Sequence, residues 1–159
     1  MNTPPWVAML AQWPGATWLQ SSSTAYLFVN AAHILGIGLV LGAILPLDLR
    51  LIAGRGGEPL RVLAPWLSRV GAVGVLLAIL TGAWLYTVRP VDYLHNAAFL
   101  YKLALLALAL LNVAWQHTGT GMQAVYAGRS VPTAVRVRAA ISLCAWLSAL
   151  VAGRWIGFL

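Results

Sequence analysis

Apolar residues are arranged along this chain in four long runs separated by short polar stretches. Each run is long enough to cross the hydrocarbon core of a bilayer as a helix, which needs about 20 residues. The predicted spans lie at about residues 24–45, 66–88, 97–115 and 139–156. Because the connections are short, an antiparallel up-down-up-down arrangement is favoured. The pattern predicts an all-α integral membrane protein, a four-helix antiparallel bundle that forms a single transmembrane domain over residues 1–159.

Residues 1–23 precede the first run and carry no charged side chain. Three prolines interrupt the segment, and its tryptophans are Trp6, Trp13 and Trp18. Tryptophan is enriched at the level of the lipid headgroups, and proline breaks helices. We therefore expect a short interfacial helix that lies on the membrane surface.

Polar side chains in the first predicted span recur at helical spacing. At 100° per residue, Tyr26, Asn30, His33 and Asp48 share one narrow stripe, while the other faces are apolar. Pro46 is expected to end the span. Because an ionisable group inside a membrane is costly without a partner, His33 is the first candidate for a functional residue.

The same span contains Gly36, Gly38 and Gly42, with a GxxxG spacing between the last two. Small residues at this spacing allow close approach of another helix. The partner helix is expected to come either from the same chain or from a second copy in a homo-oligomer.

Composition supports a membrane protein and excludes several other classes. Hydrophobic residues make up 61% of the 159 residues and charged residues 8%, against roughly a quarter in soluble domains. The net charge is +7, but no face interleaves basic and aromatic residues as nucleic-acid-binding surfaces do, so no nucleic-acid partner is expected. The sequence contains no hydrolase motif and no phosphate-binding loop, so an enzyme activity would have to come from a bound cofactor.

The arginines are distributed unequally between the two sides of the predicted membrane. One side carries seven: Arg50, Arg55, Arg61, Arg69, Arg129, Arg136 and Arg138. The other side carries Arg89 and Arg154. The positive-inside rule makes the seven-arginine side cytoplasmic, which predicts a bacterial inner-membrane protein with both termini on the outer, periplasmic side. Asp48 is expected to form an ion pair with Arg50 or Arg69 at the cytoplasmic boundary.

Lys102, the only lysine, lies inside the third predicted span, roughly 8–10 Å below the outer boundary by helical rise. His33 reaches a similar depth on the first span, and His95 precedes Lys102 by two turns on nearly the same face. With Tyr26 and Asn30, these side chains are expected to line one cavity between the first and third spans, in the outer half of the membrane.

Such a cavity has the groups that a b-type haem needs: a neutral imidazole, apolar walls, and cations for the propionates. His33 would bind the iron, and Arg89 and Arg154 would stand at the mouth of the cavity. The second axial ligand would be His95 or Lys102, or the sixth position would stay open. A copper ion bound by His33 and His95 is the alternative metal.

Structural explanations of the same residues stay open. Lys102 would also be stable with its amine extended to the headgroups, and His33 would also serve as a hydrogen-bonded contact between helices. His95 would then be a surface residue, and His117 would belong to the polar belt at the cytoplasmic interface.

Two stretches resemble known membrane proteins: AHILGIGLVLGAILPLDLRL and YLHNAAFLYKLALLALALLNVAWQH. They are similar to a group of small, uncharacterised bacterial four-helix membrane proteins, and more remotely to HemJ-type protoporphyrinogen oxidases and CopD-type copper-resistance membrane domains. In the HemJ type, a histidine early in a spanning helix binds haem b and a lysine in a later helix is required. The positions that match are His33 and Lys102, and His117 lies near the position of the family's helix-end histidine.

The resemblance and the residues together predict a b-type haem-binding membrane protein with an electron-transfer or haem-linked redox role. His33 would be the haem ligand and Lys102 the catalytic residue of a membrane oxidoreductase. A quinone or a redox partner protein would exchange electrons with it. The alternatives are a CopD-like copper or small-solute transporter and a non-catalytic membrane assembly subunit.

Overall fold

The computed structural model describes residues 5–54 and 56–158. In these ranges all regular structure is helical: α1 (Pro5–Leu10), α2 (Pro14–Ser21), α3 (Ser23–Ile52), α4 (Glu58–Tyr86), α5 (Pro90–His95), α6 (Ala97–Thr118), α7 (Thr120–Tyr126), α8 (Thr133–Trp155) and a 3₁₀ turn (Ile156–Phe158). Helices α3, α4, α6 and α8 are long and apolar enough to cross a membrane. The prediction of an all-α, multi-pass four-helix bundle is confirmed. Residues 1–4 of the predicted interfacial segment, and Arg55 of the predicted cytoplasmic arginines, lie outside the described residues.

Helix α3 continues through Pro46 to Ile52, so the prediction that Pro46 ends the helix was wrong. A proline inside a helix removes one backbone hydrogen bond. Here the residues beyond it, Leu47, Asp48 and Leu51, are buried against the rest of the bundle. Their packing stabilises the additional turns enough to offset the lost hydrogen bond.

The other spanning helices also differ from the predicted boundaries. Helices α4 and α8 begin at Glu58 and Thr133, earlier than hydropathy indicates, and α5 and α7 occupy segments that were expected to be loops. Hydropathy marks the residues that match the hydrocarbon core, whereas a helix continues for as long as its backbone is hydrogen-bonded and packed. Helix α6 begins where the Asn96 side chain accepts a hydrogen bond from the Phe99 amide at 3.1 Å, an N-cap.

Helices α3 and α4 run antiparallel with their backbones in close contact. A Cβ added at Gly36 would lie 2.8 Å from the backbone nitrogen of Ala78, and one added at Gly74 would lie 2.9 Å from the Gly36 carbonyl oxygen. By contrast, a Cβ at Gly38 or Gly42 would meet nothing within 4 Å. The close approach therefore uses Gly36, and the GxxxG pair predicted to pack against a helix faces outward from this chain.

The spanning helices are arranged side by side in the order α4, α3, α8, α6. Val40 of α3, Ala109 of α6 and Trp146 of α8 meet in a central core cluster. Helix α6 runs antiparallel to α8, because Asn96 bonds to Ile156 near one end and Gln116 bonds to Val135 near the other. Over the described residues, α4 makes no extensive contact with α6, and a cleft separates these two helices.

Each end of the bundle has a distinct composition. At one end, which we call the arginine-rich end, the loops before α4 and α8 meet, and Arg136 Nε donates to the Ile52 carbonyl at 3.0 Å. At the opposite end, α2 packs on α4 through tryptophans. The rings of Trp13 and Trp18 lie 6.3 and 5.8 Å from that of Trp84. The two arginine-containing loops predicted to share one side of the membrane therefore do share one end.

The predicted interfacial segment is two short helices, α1 and α2, rather than one. Val7, Ala16 and Leu19 are buried against the bundle, while Trp6 and Trp18 stay exposed. Large apolar side chains also cover the outward faces of the spanning helices, among them Leu27, Phe28, Ile34, Leu111 and Val151. Contiguous apolar surface of this kind indicates a lipid bilayer as the environment.

Candidate functional site

His33 projects from α3 into a gap in α4 that a glycine leaves open. A Cβ at Gly82 would lie 2.9 Å from the Cε1 atom of the His33 ring. The Nδ1 atom of His33 lies 3.1 Å from the Oγ1 atom of Thr81. The imidazole is therefore held between two neighbouring residues of α4, one by contact and one by a hydrogen bond.

The hydrogen bonds of Thr81 determine which nitrogen of His33 carries the proton. The Thr81 hydroxyl donates its hydrogen to the Leu77 carbonyl at 2.6 Å. A hydroxyl has a single hydrogen, so Oγ1 accepts the second bond from the Nδ1–H group of His33. The neutral imidazole then has an unprotonated Nε2, which is the atom that can bind a metal or accept a proton.

Lys102 of α6 packs against α8. A Cβ added at Gly153 would lie 3.4 Å from Cε and 3.5 Å from Nζ of Lys102, so the whole end of the side chain lies along this glycine. The Lys102 charge nevertheless acts on the imidazole of His33. The structure thus brings Lys102 within electrostatic range of His33, although the two side chains are fixed by different pairs of helices.

The other predicted site residues lie at the same end of the bundle, closer to its surface. His95 is exposed, and its Nδ1 donates to the Val91 carbonyl of its own helix at 2.8 Å. No hydrogen bond joins His95 to His33. Asn30 is half-buried on α3, one turn before His33. Arg154 is exposed, with its guanidinium 4.7 Å from the centroid of the Phe158 ring.

Tyr93 of α5 connects the remaining candidates. Burial raises the pKa of the Tyr93 phenol, and Tyr26, Arg89 and Asp92 each act on it electrostatically. These residues therefore lie near the Tyr93 side chain. Tyr26 and Arg89 are therefore near Tyr93 at the surface, and the hydrogen bond between His33 and Thr81 is a separate contact.

Clusters of three or more His, Cys, Asp or Glu side chains able to hold a metal ion do not occur in the described part of the chain. A copper ion on His33 and His95 would thus need further ligands of another kind. A haem is different, because the porphyrin supplies four nitrogen ligands and the protein needs to supply one or two.

A second polar group was missed in the sequence. Asp48 makes no ion pair with Arg50 or Arg69, so that expectation was wrong: the ion pair found among the described residues joins Arg61 to Glu58 at 2.7 Å. Instead, Asp48 lies next to Ser142 of α8. The reason is that Asp48 is buried, whereas Arg50 and Arg69 are exposed.

Asn112 and Gln116 of α6 line the same cleft as Asp48. Their spacing of four residues places them on one helix face, and this was the available signal in the sequence. Their amides are buried, with exposed fractions of 5% for Asn112 and 7% for Gln116. An isolated pair of amides in an apolar run does not show which other helix they meet.

No protein-family model, curated protein or solved structure matches this chain. The similarity to HemJ-type and CopD-type proteins therefore stays a prediction, and function is argued below from the geometry of the residues.

Proposed function

We propose that this protein is a b-type haem-binding membrane protein with an electron-transfer or haem-linked redox role, and that His33 is an axial ligand. The observation that supports the proposal is the hydrogen bond from Nδ1 of His33 to Thr81. Histidines that bind metals commonly donate their second ring nitrogen in this way, which leaves the other nitrogen free and orients the ring.

The surrounding residues suit the same cofactor. Arg89 and Arg154 are exposed at the end of the bundle where His33 lies, and cations at such positions pair with carboxylates such as propionates. Lys102 adds a positive charge inside the bundle that also acts on His33. A bound haem would supply one-electron redox chemistry, while this chain would hold and orient it.

His95 is a weaker choice for the second axial ligand than His33 is for the first, because its ring is exposed at the surface of the bundle. The proposal therefore has one histidine ligand, with the sixth position open or taken by Lys102. A quinone or a redox protein would exchange electrons with the haem. The proposed location is the bacterial inner membrane, with the arginine-rich end in the cytoplasm.

The test is the visible absorption spectrum of purified protein, as isolated and after reconstitution with haem, oxidised and then reduced with dithionite. We expect a Soret band that sharpens on reduction. His33→Ala should abolish the bound haem without loss of the folded protein. Thr81→Val keeps the shape but removes the hydrogen-bond acceptor, and should weaken haem binding by about 10- to 100-fold.

His117→Ala is the matched control. His117 is exposed at the arginine-rich end of α6, and its Nδ1 donates to the Val113 carbonyl at 2.9 Å. Haem occupancy should be unchanged in this variant. Wild-type protein that stays colourless after reconstitution, or a His33→Ala variant with full occupancy, would overturn the proposal.

A further inference from the structure

The cleft between α4 and α6 has a volume of about 780 Å³. Its walls are mainly aliphatic and include Ile44, Leu47, Val75, Leu76, Leu110 and Val113. Because α4 and α6 make no extensive contact over the described residues, the cleft opens sideways between two spanning helices. A ligand dissolved in the bilayer can therefore reach it.

Three buried oxygen atoms of residues that line this cleft lack a hydrogen-bond partner: Oδ2 of Asp48, Oδ1 of Asn112 and Oε1 of Gln116. Exposed fractions are 5% for Asp48 and Asn112 and 7% for Gln116. The nitrogen atoms of both amides are already engaged. Asn112 Nδ2 donates to the Arg138 carbonyl at 3.0 Å, and Gln116 Nε2 donates to the Val135 carbonyl at 3.2 Å.

These bonds orient the two amides so that their oxygens are the atoms left over. A buried acceptor without a donor costs about 1–3 kcal/mol, and a buried carboxylate is costly unless an opposite charge compensates it. Arg69 also lines the cleft, but its guanidinium forms no ion pair with Asp48. Trp146 Nε1, a buried donor without a partner, is not among the residues that line the cleft.

The unpartnered oxygen atoms of Asp48, Asn112 and Gln116 are all acceptors, and one of them belongs to a carboxyl group. An ammonium group supplies both hydrogen atoms and the opposite charge. The volume is far larger than a bare metal ion requires and falls in the range typical of small-molecule sites, roughly 300–1,000 Å³. The aliphatic walls suit an apolar body attached to that ammonium.

We propose that the cleft binds a small amphipathic amine, with its ammonium on Asp48, Asn112 and Gln116 and its apolar body between α4 and α6. His33 is not among the residues that line the cleft, so this proposal is independent of haem binding.

The test is isothermal titration calorimetry on the full chain in lipid nanodiscs, with two probes of nearly equal shape, 4-phenylbutylammonium and 4-phenyl-1-butanol. Nanodiscs without protein correct for partitioning into lipid. We expect saturable binding of the ammonium and at least tenfold weaker binding of the alcohol, because the alcohol lacks the charge. Asp48→Asn and Asn112→Leu should each weaken ammonium binding by about tenfold or more.

Ser148→Ala is the control for these variants, since Ser148 is exposed on α8 and lines a separate shallow groove. It should bind the ammonium as the wild type does. Equal affinity for the two probes, absence of saturable ammonium binding, or unchanged binding in the cleft variants would overturn the proposal. If Asp48→Asn does not fold, Asn112→Leu alone decides between these outcomes.

Discussion

At the scale of single residues, the positions of hydrogen atoms determine what the buried polar groups of this protein can do. The Thr81 hydroxyl donates to its own helix and so can only accept from His33. The Asn112 amide likewise donates to Arg138 and leaves its oxygen free. His33 is thereby left with a lone pair on Nε2, and Asn112 is left with an unpartnered Oδ1.

Lys102 provides a residue-scale prediction. Its side chain is half-buried along Gly153, so Lys102→Met removes a charge but keeps the length and the packing. Because removal of a half-buried charge lifts a desolvation penalty, we expect a melting temperature equal to or higher than that of the wild type. The haem spectrum and any redox activity should change, since the Lys102 charge acts on His33.

Differential scanning calorimetry and absorption spectroscopy check this prediction together. Leu103→Met, at an exposed neighbouring position, is the control and should alter neither. If Lys102→Met leaves the spectrum, the stability and the activity unchanged, the amine serves only to reach the lipid headgroups.

At the scale of the helices, contact between α3 and α4 depends on glycines that let two backbones approach. Hydropathy cannot distinguish Gly36 from Gly38, because both lie in the same apolar run. Only the rotation of α3 against α4 distinguishes them: a Cβ at Gly36 would meet the Ala78 backbone, and one at Gly38 would meet nothing within 4 Å.

Gly36→Ala should therefore destabilise the protein by about 1–3 kcal/mol, the usual cost of overpacking. Gly38→Ala should be neutral, or stabilise by up to about 1 kcal/mol, because alanine restricts the unfolded chain. The free energy of unfolding in mixed detergent micelles measures both. Equal effects of the two substitutions would show that α3 is rotated differently, or that the outward Gly38 face is occupied by a second copy of the chain.

At the scale of the whole molecule, the arginine-rich end and the end where α2 packs on α4 are opposite ends of the bundle. Arg129 in the loop before α8 and Arg136 in the first turns of α8 lie at one end, and the tryptophan contacts of α2 with α4 lie at the other. Positive residues are retained on the cytoplasmic side during insertion, so this separation predicts the orientation of the protein.

Orientation is testable by labelling cysteines in intact bacterial cells with a membrane-impermeant maleimide. In a Cys144→Ala background, Ser21→Cys should react from outside, because it is exposed at the end of α2. Ser130→Cys, exposed in the loop before α8, should react only after the cells are permeabilised. The reverse pattern would contradict the proposed orientation.

The sequence predicted the four spans and the membrane environment, because hydropathy is a property of individual residues and their spacing. It also indicated His33 as a candidate functional residue, because an ionisable group is costly to bury in a membrane. The ends of the helices could not be predicted from the sequence, since packing beyond Pro46 outweighs the local tendency of proline to end a helix. The tautomer of His33 and the grouping of Asp48 with Asn112 and Gln116 also depended on the tertiary structure. Those partners are distant in the sequence, and which faces of the helices meet depends on how the four helices pack together.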